Sequence, residues 1–449
     1  MTFQSKLIAL LLVMQGVVGM SAAHAEKLIS GPMAGPSAMR SVTIWMQSDA
    51  SAKARLEYWT DKAKHKNSSS IELLQQEDFA GRITLVDLEP GTKYQYRVLL
   101  NDKPVDSRVH QIATQALWQW RTDPPSTKVL LGSCAYINED TYDRPNNPYG
   151  GGYEIFESMA AAKPDLTIWM GDNVYFREVD YDSASGMAYR YRHDRALPQL
   201  QALLRTGAHA AIWDDHDYGS NDSNSSFGLK ANALALFKRY WANPSYGLPD
   251  VPGIFSVVHH DDADFFMLDD RWYRDSDLTA DNENKVMFGE RQMNWLKNAL
   301  LNSTANFKII VAGGQMLNEM DKWEGWLNFT TERRKFLDWL AANKVDGVMF
   351  ASGDRHQTEL FRMNRPANYP LYELTCSPLT AGTHNLDSEQ NNPMRVTGTL
   401  VGERNYCSME FSGTNQDRQV TLRSYNTKGK MLWEHKVLKQ EVSKVVEKK

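Results

Sequence analysis

The chain has 449 residues, 42% of them hydrophobic and 23% charged, with a formal net charge of −5. That length exceeds one ordinary core and predicts two or three domains of globular composition. A slightly acidic chain has no broad electrostatic reason to hold nucleic acid. The first 25 residues read as a secretory signal: Lys6 supplies the positive region, Leu7 to Met20 the apolar region, and Ala23-His24-Ala25 a small-x-small cleavage site. The apolar run contains Gln15, Gly16 and Gly19 and is short for a bilayer span, so no membrane anchor is expected after cleavage. The mature chain is expected to begin near Glu26 in an oxidising space, periplasmic or secreted.

Residues 26–122 predict an N-terminal β-sandwich. Strand-like runs at Val42–Met46 and Ala54–Trp59 alternate with polar turns. In LEPGTKYQYRVLL, Leu88 to Leu100, Pro90-Gly91 makes a turn, and Tyr94, Tyr96 and Val98 then alternate on one strand face. This stretch resembles a fibronectin type III strand with its corner tyrosine. The polar, Lys-rich segment Asp61–Ser70 predicts a loop. Such a module either packs against and orients the next domain or gates its substrate. Arg121–Ser126 (RTDPPS) reads as a linker.

From residue 127 the pattern changes to short apolar strands alternating with helices, which predicts an α/β domain over 127–438. The strands are Val129–Leu131, Leu166–Met170, Ala210–Trp213, Phe265–Leu268, Ile309–Ala312 and Val348–Ala351. The helices are Gly152–Ala162, Leu197–Arg205, Ala231–Ala242, Glu290–Leu301 and Thr331–Asn343. After Arg355 strands dominate: Leu371–Cys376, Tyr406–Phe411, Gln419–Tyr425 and Met431–Val437. Residues 439–449 form a charged tail, read as a frayed helix with Val442, Val445 and Val446 on one face. Of the three cysteines, Cys376 and Cys407 lie in strand-like segments that can be neighbours in one sheet. A disulfide between them would leave Cys134 reduced; two buried thiols is the alternative.

Four strands stop at potential metal ligands. Val129–Leu131 runs into Gly132-Ser133-Cys134, and Leu166–Met170 into Gly171-Asp172-Asn173-Val174-Tyr175. Ala210–Trp213 runs into Asp214-Asp215-His216-Asp217, and Val348–Ala351 into Ser352-Gly353-Asp354-Arg355-His356. Carboxyl ends of strands are where α/β sheets place their chemistry. Asp172 has two oxygens and can bridge two cations about 3.5–4 Å apart. Tyr175, three residues later, can lend a phenolate. Thiolate, phenolate, carboxylate and imidazole together suit a ferric ion, and a carboxylate-rich neighbour suits Ca²⁺, Mg²⁺ or Mn²⁺.

The order GSC, GDNVY, WDDHD, SGDRH resembles the PhoD-like (alkaline phosphatase D) metallophosphatases, relatives of the purple acid phosphatases. MLDDRWYR (Met267–Arg274), FGERQMNWL (Phe288–Leu296), DKWEGW (Asp321–Trp326) and YELTCSPLT (Tyr372–Thr380) extend the likeness over nearly the whole mature chain. The resemblance implies a sandwich of two mixed sheets flanked by helices, behind the fibronectin-like β-sandwich. It implies Fe³⁺ on Cys134, Asp172, Tyr175 and His356, and a second divalent metal, Ca²⁺ or else Mg²⁺ or Mn²⁺, on Asp172, Asp215 and Asp354. It further implies catalytic roles for His216 and Asp215, and hydrolysis of a small-molecule phosphate ester by a metal-bound hydroxide. Relatives usually supply one more second-metal ligand after the fifth strand. Here that loop reads Gly313-Gly314-Gln315, with Gln315 as the candidate.

Each residue also has a plainer reading. Cys134 can be an inert buried thiol, His216 a structural hydrogen-bonder, and Asp354 and His356 part of an ion-pair cluster with Arg355. Asp269 and Arg271 fit bracing better than ligation. Tyr189, Arg190, Tyr191, Arg192 and Arg195 form a basic-aromatic run that fits a solvated helix flank better than a nucleic-acid patch. The competing functions are a phosphodiesterase or phospholipase on the same site, and a non-catalytic periplasmic binding protein.

Overall fold

The computed structural model describes residues 26–320 and 323–443. The expected signal segment, Asp321 of the DKWEGW stretch, and tail positions Val445 and Val446 lie outside the described residues. Among the described residues no helix is long and apolar enough to cross a membrane.

Three strands with continuous apolar runs form the parallel centre of the first sheet: Thr127–Gly132, Leu166–Met170 and Ala208–Ile212. All five residues of Leu166–Met170 are buried, as expected where both faces of a parallel strand are covered. Register runs Val129 with Leu166 and Ala210 with Ile168. On one side, Asn405–Ser412, Gln419–Asn426 and Met431–Leu438 extend the sheet antiparallel. The second sheet has six strands, in the order Ser256–His260, Ala263–Met267, Phe307–Val311, Val348–Ser352, Leu371–Thr375, Glu359–Met363.

The two sheets share one core. Phe411 of the first lies 6.3 Å from Phe265 and 5.3 Å from Phe307 of the second, ring centre to ring centre. Helices cover the outer faces. Phe156 meets Trp169 and Phe237 meets Trp213 on the first sheet. On the second, Arg333 of helix Thr330–Asn343 donates to the Met316 and Leu317 carbonyls. Cys376 and Cys407 form the expected disulfide, and Cys134 is free and buried. The two half-cystines are not neighbours in one sheet. Cys407 is in the nine-stranded sheet and Cys376 directly follows a strand of the six-stranded one, so the bond staples the layers together.

The N-terminal segment is a β-sandwich with its own core, which includes Ile44, Leu56, Ile83 and Val98. Its corner tyrosine is present: the Glu89 amide donates to the Tyr94 hydroxyl at 2.8 Å. One layer, Leu28–Ala34, Val42–Ser48 and Ala80–Leu85, continues the first sheet, because Ala34 pairs in parallel with Ala208. That junction makes nine strands in all. Within the expected loop Asp61–Ser70, Ala63–Asn67 is instead an edge strand paired with Ala52–Thr60. Lys64 and Lys66 on an exposed edge protect it from pairing with another chain.

The basic-aromatic run also departs from expectation. It lies on the helix Ala184–Arg195, but Arg190, Tyr191 and Arg195 are buried. Arg190 pairs with Asp180 at 2.8 Å and Glu139 at 2.8 Å, and Arg195 lies over Trp241. These cations are used up inside the protein and form no surface patch.

Candidate metal centre

The carboxyl ends of the two sheets converge because glycines let their backbones touch. A Cβ on Gly353 would sit 2.6 Å from the Ser133 Cβ, which joins the end of Val348–Ser352 to that of Thr127–Gly132. A Cβ on Gly171 would sit 2.7 Å from the Asp214 Cβ. The candidate ligand residues turn sharply. Cys134, Asp172, Asp354 and His356 have φ of 60°, 53°, 62° and 51°. Left-handed backbone at a residue other than glycine costs about 1–3 kcal/mol and persists only where the surroundings impose it.

These turns gather most of the candidate ligands into linked clusters, of which the Asp354 carboxylate is not a member. Cys134, Asp172 and His356 each bring a donor atom within 4.8 Å of the others, and so do Asp172, Asp215 and His216. Asp172 belongs to both. Its Oδ2 lies 3.7 Å from the Cys134 Sγ, and its Oδ1 accepts from the His216 amide at 3.2 Å. The Tyr175 hydroxyl is 3.3 Å from the His356 Nε2. The His356 Nδ1 lies 2.5 Å from the Gly382 carbonyl, to which it can only donate. This fixes the tautomer and leaves Nε2 with its lone pair turned to the cluster.

Asp354 offers its carbonyl 3.8 Å from the Cys134 Sγ. Burial first, then the charge of Glu324, raises its carboxyl to about 7. Gln315 is not brought to the cluster. Its amide donates to Glu359 and Thr375 at 2.9 Å each, and its oxygen accepts from Asn318.

The sequence reading missed a third cluster, Asp215, Asp222 and Glu324. Asp222 donates its amide to the Asp215 Oδ2 at 2.8 Å. Arg271 holds Asp214 at 2.5 Å and grips Glu324 with two nitrogens at 3.1 and 3.0 Å. Burial opposes ionisation of Glu324, but Arg271 keeps its carboxyl down at about 2. Asp269 accepts from Trp213 and from the Ile254 and Arg271 amides, so it and Arg271 are braces, as expected. Tyr149, 3.1 Å from the His356 Nδ1, and Ser377, whose hydroxyl donates to the Cys134 Sγ at 3.1 Å, were also unforeseen.

The electrostatics call for positive charge. Burial, reinforced by Asp172 and Asp354, pushes the Cys134 thiol up. Burial, reinforced by Asp215, Asp217 and Asp354, pushes Asp172 up. Without a cation these groups resist ionisation; a cation would reverse that. The buried Asp215 Oδ1 and His216 Nδ1 have no hydrogen-bond partner among the described residues. Hard carboxylate oxygens, a thiol, a phenol and an imidazole with an exposed lone pair fit metal ions.

Two mixed sheets with such a cluster at their joined carboxyl ends define a metallophosphatase-type protein. Residues 130–431 match the PhoD-like phosphatase family, and the chain belongs to it. Residues 25–115 match a domain of unknown function, DUF7800. Alkaline phosphatase D of Bacillus subtilis (strain 168) is 26% identical over 324 residues, covering 60% of this chain and 52% of that protein. The chain thus spans about half the length of that curated relative. A structure of PhoD superposes with a TM-score of 0.73 at 17% identity, covering 93% of this chain and 92% of the other. Purple acid phosphatase from yellow lupin (Lupinus luteus) seeds superposes at 0.66 with 12% identity, covering 91% and 74%. The fold expected from the sequence is the fold observed.

Proposed function

We propose that the protein is a periplasmic or secreted phosphoesterase with a binuclear metal centre, its 127–438 segment catalytic and its 26–122 segment supporting. The observation that carries this reading is the position of Asp172 in two ligand clusters at once. Cys134, Asp172, Tyr175 and His356 would hold Fe³⁺, and Asp172, Asp215 and Asp354 a divalent ion, Ca²⁺ by the hardness of its oxygens. When bound, such a pair lowers the pKa of a water and clamps a phosphoryl oxygen.

The chain's own residues do the rest. Asp172, which belongs to two of the clusters, would hold both ions, and Asp215 the divalent one. The Gly382 carbonyl and the Tyr149 hydroxyl aim His356. Ser377 donates to the Cys134 sulfur and so stabilises its thiolate. His216 packs its ring 4.2 Å from that of Tyr175 and lines the open cavity. From there it can give a proton to the departing alkoxide.

Metal analysis of the protein purified from its own compartment, with a panel of mono- and diesters, tests the reading. Iron with a second divalent metal and ester turnover are expected. Ferric thiolate and phenolate absorb visible light, so Tyr175→Phe should shift or remove a visible band. A colourless, fully active zinc protein would overturn the metal assignment.

A further inference from the structure

Two cavities meet over the ligand clusters. The larger, about 790 Å³, is walled chiefly by polar and charged side chains, among them Asp222, Arg274, Asp277 and Glu324. The other, about 560 Å³, is walled by six aromatic residues, Tyr136, Tyr142, Tyr149, Tyr175, Phe176 and Tyr181, and by polar and charged ones that include Asp143, Arg144 and Glu178. Tyr149, His216 and Asn221 line both, so a group held at the clusters has a direct way into either.

Three of these rings pack against one another. Tyr136 lies 5.1 Å from Tyr175 and 5.0 Å from Tyr149, ring centre to ring centre. Arg177 sits 3.9 Å from the Tyr136 ring centre and donates to Asp143 and to the Tyr175 and Ile137 carbonyls. Its charge braces the wall. Arg144 differs: it is exposed, and its guanidinium makes no hydrogen bond or ion pair among the described residues. It stands on the cavity lining with Tyr142, a residue 41% exposed. Aromatic faces plus one free guanidinium favour a flat π-system over a flexible chain, because stacking needs a plane and a rigid ring loses little entropy on ordering.

We infer that the 560 Å³ cavity is a subsite for a planar ring on the substrate, so that this enzyme prefers phosphate esters bearing an aryl or heteroaromatic substituent. The inference rests on the phosphoesterase reading. The phosphoryl group stays at the ligand clusters. The ring passes His216 and Tyr149 to lie against Tyr136, Tyr142 and Tyr181, with Arg144 at its edge.

The test is calorimetric binding of phenylphosphonate and methylphosphonate, which cannot be hydrolysed, to the metal-loaded full-length protein. Phenylphosphonate should bind at least about tenfold more tightly, as base–aromatic stacking does elsewhere. Tyr142→Ala should remove most of that preference and leave methylphosphonate binding unchanged. Arg144→Gln, a surface change that cannot disturb folding through burial, should reduce it several-fold. Equal binding of the two phosphonates, or a preference that survives both substitutions, overturns the subsite. Binding of neither phosphonate overturns it as well. Turnover of simple alkyl phosphate esters in parallel shows separately whether the phosphoesterase reading stands.

Discussion

The strand Ala208–Ile212 is used at both ends, in opposite ways. At its amino end Ala208 pairs with Ala34 and joins the N-terminal sandwich to the main sheet. At its carboxyl end the chain passes through Trp213 into Asp214, Asp215 and His216. Five residues of strand separate the two ends by about 17 Å. Where the N-terminal sandwich meets the main domain opposite charges are matched: Asp78 receives Arg192 and Arg239, and Glu77 receives Arg239. Around the carboxyl end like charges are crowded: Asp172, Asp214, Asp215 and Asp217 are all buried. The first arrangement stabilises the fold; the second destabilises it until a cation arrives. No described residue of 26–122 lines either cavity, which favours packing over gating for that module.

Asp172→Ala should break the carboxyl end most completely. Both metals should be lost and kcat should fall by at least about 10³-fold, read by elemental analysis and ester turnover. Retention of one full equivalent of metal would mean that Asp172 serves a single site. The metal-stripped wild-type protein should show the opposite side of the same repulsion. Asp354 holds its proton up to about 7 when folded, against an ordinary value of 3.8. Between those values the folded state binds more protons than the unfolded one, so apo stability should fall as pH rises from about 4 to about 7. Thermal unfolding of the stripped protein across that range measures it, and a rise with pH would contradict the crowding argument.

His216→Ala should keep both metals and lose about 10²–10⁴-fold in kcat. The loss should be larger for alkyl esters, whose alkoxide needs a proton, than for nitrophenyl esters, which leave without one. Equal losses on the two would remove the acid role. Loss of a metal would make His216 a ligand, which its place in a cluster with Asp172 and Asp215 also permits.

These residues were legible in the sequence because their signal is local. An apolar strand, then glycine, then a ligand is readable at Gly171-Asp172 without knowing what packs nearby. Asp222 and Glu324 arrive on irregular loops, where no period marks them; Glu324 stood inside DKWEGW without a role. The nine-stranded sheet was not legible, because one parallel pair, Ala34 with Ala208, joins segments far apart in the chain. The helical spacing of Tyr189 to Arg195 was readable, but not its burial, since Glu139 and Asp180 come from outside the helix. Gln315 looked available because its partners Glu359 and Thr375 lie far along the chain, on strands that only the fold brings to it.

Between the two ends, the disulfide should matter to stability more than to chemistry. It closes 31 residues of chain and ties the two sheets just behind Ser377 and Cys134. Cys407→Ala should cost about 3–4 kcal/mol in the chain-entropy account. Denaturant unfolding of the metal-loaded protein measures this. A loss below about 1 kcal/mol would show that the shared core, not the staple, holds the sheets together.

The smallest effect belongs to the junction of the N-terminal sandwich with the main domain. Asp78 is buried, has φ of 54°, and takes Arg239 at 2.7 Å as well as Arg192. Alanine there would add backbone strain to the loss of charge. Asparagine tolerates the left-handed conformation and removes only the charge, so Asp78→Asn isolates the ion pairs. Arg192 is 38% exposed, and water screens part of its share. The expected cost is therefore about 1–2 kcal/mol, from the charged hydrogen bonds to Arg239. Metal content should not change and kcat should stay within about twofold, since Asp78 belongs to none of the ligand clusters. A fall in kcat with both metals retained would mean that the strand transmits docking at Ala208 to the aim of Asp215 and His216. The N-terminal module would then influence catalysis without ever touching the cavity.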